Sequence, residues 1–192
     1  MAAGVGWMLG WALLVGLTGR AWGAPARTAD RAAGALLTAG LGTAMVLAFG
    51  RLPLWYAPTL AILSAVAVID RAHHILPNRW VLSLVGCALW SRFAHGGWIM
   101  SLLVAGGVFL FFLAVHVLSH GGLGMGDVKF SAALAFALGY PAAVTAMVVG
   151  LWASALYALM LLLVWRRRRT RTLPLGPFLA LGGLVGLVEL LH

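Results

Sequence analysis

Trp98-Ile-Met-Ser-Leu-Leu-Val-Ala-Gly-Gly-Val-Phe-Leu-Phe-Phe-Leu-Ala-Val-His-Val-Leu118 is a run of 21 residues without an Asp, Glu, Lys or Arg. A helix of about 20 apolar residues crosses the hydrocarbon core of a bilayer. The rest of the chain has the same character: 63% of the 192 residues are hydrophobic and 9% are charged. A soluble domain carries about a quarter charged residues, so the chain lacks the charge to build a surface facing water. Outward from 98–118, further apolar stretches lie at 1–19, 31–50, 52–69, 80–96, 127–139, 142–165 and 173–191. The sixth in chain order, 127–139, is short, and only the turn signal Tyr140-Pro141 separates it from the seventh. The pattern predicts an all-α, polytopic membrane helix bundle of about eight transmembrane helices. It is read as one domain over 1–192, with the first span and a short loop in 1–30 and the core in 31–192. No internal repeat is visible.

The charges orient the bundle. With the N-terminus outside, the inner segments hold Arg20, Arg27, Arg31, Arg71, Arg79, Lys129, Arg166, Arg167, Arg168, Arg169 and Arg171, and the outer ones hold Arg51 and Arg92. That division follows the positive-inside rule and depends on the number of spans. The net charge of +9 is therefore read as membrane-flanking charge, not as a nucleic-acid surface. The run 1–19 has no basic residue ahead of it and is read as a span, not a cleaved signal. A lone cysteine, Cys87, excludes an internal disulfide and a paired-cysteine metal site.

Four carboxylate side chains are present: Asp30, Asp70, Asp127 and Glu189. Asp30 lies in a polar loop as a candidate helix cap, and Glu189 is expected at the outer interface. Asp70 ends the third apolar run and Asp127 opens the sixth. Ionisable groups at the edges of apolar spans are costly and mark function by default. The charge-based topology brings both acids to the same, cytoplasmic face. Two carboxyls in a shielded place are the minimum equipment for aspartic proteolysis, one taking a proton from water and the other polarising the peptide carbonyl. Each acid also has a plainer reading: Asp127 as an N-cap, and Asp70 as the partner of Arg71 or Arg79.

The residues around these acids resemble a known family. Asp70-Arg-Ala-His-His-Ile-Leu-Pro77-Asn78 resembles the first signature of prepilin peptidases, also called type IV leader peptidases. Gly124-Met-Gly126-Asp127-Val-Lys129 resembles their GxGD motif with its following lysine, and Gly176-Pro177-Phe178 resembles a segment found late in their chains. The resemblance covers roughly residues 31–192. It implies an aspartic endopeptidase of the bacterial cytoplasmic membrane that cuts the leader from type IV prepilins and pseudopilins at the cytoplasmic face. By the same resemblance Asp70 and Asp127 are catalytic, and Pro77, Asn78, Gly124, Gly126, Lys129, Gly176 and Pro177 shape the site or bind substrate. Implied partners are the prepilin and the lipid bilayer, with no nucleic acid, no metal and no cofactor. Many members also N-methylate the new N-terminus through a domain with paired cysteines. Here the corresponding loop, about Arg20 to Asp30, is short and has none, so a peptidase-only form is expected. Two alternatives stand beside this reading: a signal-peptide-peptidase-like intramembrane protease, which shares GxGD, and a small proton-coupled transporter.

The residues alone allow further expectations. Gly124 and Gly126 are expected to open backbone conformations closed to other residues. Asn78 has a second reading as a helix N-cap. Lys129 is expected to stabilise an anion or to snorkel, and His73 and His74 are read as interfacial residues. Asp127 at a helix N-terminus and Asp70 at a helix C-terminus differ in their dipole environment. That difference assigns Asp127 as the base and Asp70 as the protonated partner, with Arg71 opposing the bias.

Overall fold

The computed structural model describes residues 40, 57–73, 76, 78–120, 122–165 and 175–190. The expected first two spans, Asp30, His74 and Pro77 lie outside the described residues. The described residues form six helices: α1 (Ala57–His73), α2 (Asn78–His95), α3 (Trp98–Leu118), α4 (Met125–Leu138), α5 (Ala142–Trp165) and α6 (Gly176–Glu189). The all-helical expectation holds across them.

Consecutive helices run up and down, so one end of the bundle gathers the end of α1 and the starts of α2, α4 and α6. Two contacts tie that end together: Gly176 N–H reaches Asp70, and Leu76 lies against Gly126. The opposite end is tied by Arg92, whose Nη2 donates to the Ala137 carbonyl at 3.0 Å, and by the Trp98 ring, 6.3 Å from that of Phe136.

α4 is the centre. It packs against α2, α3, α5 and α6, and every residue from Ala133 to Leu138 is buried. α1 buries an unbroken run from Thr59 to Val66, and closes over α6 and α2. The long helices behave oppositely. Only 11% of the apolar window of α3 and 17% of that of α5 is buried. A long apolar helix in the core of a soluble protein would be mostly buried, so these two have the length and the exposed apolar surface of lipid-facing helices. Leu102, Leu103, Leu110, Phe111, Trp152 and Met160 all point outward.

α5 and α6 meet through small residues. A Cβ at Gly182 would run into the Ala146 carbonyl, one at Gly186 would stand 2.7 Å from the Ala142 carbonyl, and one at Gly150 would stand 3.0 Å from that of Phe178. Ala142, Ala146 and Gly150 recur every fourth residue, as do Gly182 and Gly186, so each row makes a smooth stripe along its helix. Lipid tails are as apolar as leucine, so helices in lipid associate through close backbone packing, and small residues permit it. The Tyr140-Pro141 turn is present and its peptide bond is cis.

Candidate active site

Asp70 lies in the last turn of α1, which runs on to His73 and carries the acid into the bundle. It is 4% exposed, a degree of burial that demands partners for a carboxyl group. One is the first residue of α6: Gly176 N–H donates to Asp70 Oδ2 at 2.9 Å. Only glycine fits there, because a Cβ at 176 would lie 2.6 Å from Oδ2 and 2.9 Å from Cγ. Pro177 follows in the first turn of α6, where a missing N–H costs nothing. The close packing of α5 on α6 fixes where this helix start stands.

Asp127 is in the first turn of α4, three residues beyond its N-cap, Gly124. It is therefore not the N-cap itself. Its carboxyl is hydrogen-bonded by the Gly124 backbone and lies within electrostatic range of Asp70. The arrangement has the back-bonding half of a capping box, with an acid at the third helical position reaching the N-cap. Oδ1 of Asp127 is buried without a hydrogen-bond partner. An orphaned buried oxygen is rare and calls for a functional account.

The glycines matter for closeness and not for backbone freedom. Gly124 has φ −66° and ψ 138°, open to any residue, and the positive-φ glycines among the described residues are Gly96, Gly97 and Gly139. A Cβ at Gly124 would stand 3.1 Å from Asp127 Oδ2, and one at Gly126 would stand 3.1 Å from Leu76 Cβ. The second contact presses the loop after Asp70 directly onto the segment that carries Asp127. The expectation that these glycines supply unusual dihedrals is thus replaced by a steric reason.

Of the other expected site residues, Asn78 is exposed as the first residue of α2, and Lys129 is exposed on α4. Pro177 is half-buried. Pro77, His74 and the side chains of Arg71 and His73 lie outside the described residues. Glu189 ends α6 away from the acid pair, half-buried, with Oε2 lacking a partner. No group of three or more His, Cys, Asp or Glu suited to a metal occurs among the described residues.

Sequence reasoning missed three features. Arg92 counted only as an outer charge, yet it bonds the last turn of α4. The small-residue rows of α5 and α6 read as ordinary apolar sequence, although their fourfold spacing was there to find. His116 and Ser119, which hold the turn before Gly124, had no motif to reveal them.

The site defined here is a pair of carboxyls from separate helices, one buried and one half-buried, at one end of an apolar helical bundle. The profile of the type IV leader peptidase family matches residues 57–163. The chain belongs to that family. It is similar to the prepilin leader peptidase/N-methyltransferase of Bacillus subtilis (strain 168), 31% identical over 154 residues, covering 78% of this chain and 62% of the relative. It is also similar to the prepilin leader peptidase/N-methyltransferases of Burkholderia pseudomallei strains 1026b and K96243, each 35% identical over 159 residues, covering 79% of this chain and 49% of the relative. The chain thus spans about half to three fifths of the length of these curated relatives. No solved structure matches it significantly.

Proposed function

We propose that this chain is a membrane aspartic endopeptidase that cleaves the leader of type IV prepilins or pseudopilins at the cytoplasmic face, with Asp70 and Asp127 as its catalytic pair. The observation that carries the reading is the convergence of the two acids. They stand at the edges of apolar helices, they come from helices far apart in sequence, and they fall within electrostatic range with their motifs in contact through Leu76 and Gly126. Membership of the leader peptidase family supports the substrate class, and the exposed apolar faces of α3 and α5 support the bilayer as solvent. The basic residues Arg79 and Lys129 belong to the end that holds the acids, and Arg92 to the other, which supports a cytoplasmic site. The single cysteine, Cys87, cannot supply the paired cysteines that the family resemblance associates with N-methylation, so the peptidase reaction is the one proposed.

Like charges at close range do not both ionise cheaply, so the pair shares one proton. The dipole of α1 alone would keep that proton on Asp70. The start of α6 offsets that bias, because its N–H groups and positive dipole end favour an anion on Asp70, while the buried Oδ1 of Asp127 has no donor to stabilise an anion and so favours the proton there. Asp70 is then the base and Asp127 the acid. Water gives its proton to Asp70 as its oxygen attacks the scissile carbonyl carbon. Asp127 gives its proton to the carbonyl oxygen, making a tetrahedral diol. As the C–N bond breaks, the amine takes up the proton held by Asp70, and Asp127 recovers its own.

Co-expression with a prepilin bearing a short basic leader, a glycine at the cut and a following hydrophobic helix tests the proposal. Asp70→Asn and Asp127→Asn are each expected to abolish processing while the protein still accumulates in the membrane. Processing by the unaltered chain should follow a bell-shaped pH dependence, falling when the pair gains a second proton and when it loses its only one. Normal processing by either variant removes that residue from the reaction.

A further inference from the structure

The connection that delivers Asp127 has its own fastening. The start of α3 and the end of α4 share one end of the bundle, marked by the Trp98 ring 6.3 Å from that of Phe136. α3 has 21 residues and α4 has 14. At 1.5 Å per residue, α3 overshoots the start of α4 by about 10 Å. The chain must therefore fold back along the end of α3 before α4 begins. His120 makes the reversal at φ 52°, and Gly122 N–H closes it on the Ser119 carbonyl at 3.1 Å. Leu123 is then held at both of its backbone groups. Its carbonyl lies 2.6 Å from His116 Nδ1, and its N–H donates to Ser119 Oγ at 3.3 Å. Ser119 Oγ in turn donates to the His116 carbonyl at 3.1 Å. The Leu123 side chain packs against the core. The next residue is Gly124, the N-cap of α4 and the neighbour of the Asp127 carboxyl.

We propose that His116 and Ser119 form a clasp on Leu123 that sets the position of the Asp127 carboxyl, making them positioning residues for the reaction. The proposal rests on the reading of Asp70 and Asp127 given above. A carbonyl oxygen only accepts, so His116 Nδ1 carries a hydrogen and donates. The effect of the clasp is geometric: Gly124 follows the clasped residue, and a displacement of about 1 Å in a catalytic group costs on the order of a hundredfold in rate.

Two substitutions separate the bond from the ring. His116→Phe keeps the ring volume and removes the donor. His116→Asn restores an N–H close to where Nδ1 stands. In the full chain in detergent, His116→Phe is expected to speed hydrogen exchange of the amides of 122–128 about tenfold, and to lower kcat for prepilin cleavage about ten- to a hundredfold with KM changed less than about threefold. The shape of the pH profile should not change. His116→Asn should recover exchange and kcat to within about threefold of the original. Unchanged exchange in His116→Phe overturns the clasp. Faster exchange with unchanged kcat overturns its positioning role, and so does a His116→Asn variant as impaired as His116→Phe. Should His116→Phe not accumulate, Ser119→Ala at an exposed position carries the same test, with an expected loss of about threefold in kcat. Failure of the acid-pair reading appears elsewhere, as normal processing by Asp70→Asn or Asp127→Asn, while the exchange results still judge the clasp.

Discussion

α3 and α4 are neighbours, both apolar, and opposite in almost every other respect. α3 has 21 residues, turns leucine and phenylalanine outward, and buries only Ser101 and Phe112. α4 has 14 residues, buries nine of them, and carries an acid in its first turn. A helix of 14 residues is about 21 Å long, short of the roughly 30 Å hydrocarbon core, whereas α3 at about 32 Å crosses it. α6 matches α4 in length and starts at Asp70. The two short helices begin short of the level that the long helices reach, so the long helices flank the acid-bearing end of the centre. Hydrophobicity does not distinguish wall from centre, because lipid and core are equally apolar. Residue size and length do.

The comparison breaks most severely at the contact between α5 and α6. Gly182 has no room for a Cβ against the Ala146 carbonyl. Gly182→Leu must therefore part the helices, and with them the Gly176 contact on Asp70. Overpacking costs about 1–3 kcal/mol when the surroundings can adjust, and a backbone-to-backbone contact adjusts least. The expected outcome is loss of folded protein from detergent extracts, read by size-exclusion profile. A well-folded, active Gly182→Leu protein would mean that α5 and α6 do not pack as described.

The wall has its own breaking point. Leu110 lies in the middle of α3 and is 65% exposed. On a surface facing water, Leu110→Lys would be harmless. In lipid, a lysine at mid-helix costs about 3 kcal/mol. Reduced membrane accumulation, with a normal level for Leu110→Ala, is the expected result. Full accumulation of Leu110→Lys would place that face in water.

At the acid-bearing end of the centre the effect should be catalytic and not structural. Gly176→Ala puts a methyl 2.6 Å from Asp70 Oδ2, so the N–H bond to the acid must lengthen. Processing should fall on the order of a hundredfold while the unfolding midpoint moves little. At the other end of α4 the sign is reversed. Arg92→Met removes a donor to the Ala137 carbonyl and leaves the acids untouched. A hydrogen bond from a charged donor contributes about 1.5–3 kcal/mol, so thermal stability should drop while kcat at low temperature stays the same.

Much of this was legible without coordinates. Charge-poor runs predict the helices, and α2 to α6 fall within a few residues of the apolar stretches. Asp70 and Asp127 stood out because carboxylates are scarce in an apolar chain. The dipole argument was incomplete for a physical reason: sequence shows a residue's own helix and not the helix that meets it. Asp70 is at the end of α1 and also at the start of α6, and only packing reveals the second. The glycines misled in the same way. Gly126 is small because Leu76 lies against it, a constraint set by a partner 50 positions away.

The smallest expected effect is the most discriminating for the contrast between wall and centre. Leu103 on α3 is 66% exposed, while Leu134 on α4 is fully buried at 0%. Both are leucines in mid-helix, and a hydropathy scale scores them alike. Leu134→Ala deletes atoms packed on all sides and should cost about 2–5 kcal/mol through the cavity it leaves. Leu103→Ala deletes atoms whose neighbours are lipid, which closes over the gap, so no cavity persists. Its cost should be below about 0.5 kcal/mol, within the range of surface substitutions. Unfolding midpoints of the two variants in the same detergent decide the matter. Equal losses would show that α3 is covered by protein, and the division of the bundle into wall and centre would then need to be redrawn around whatever covers it.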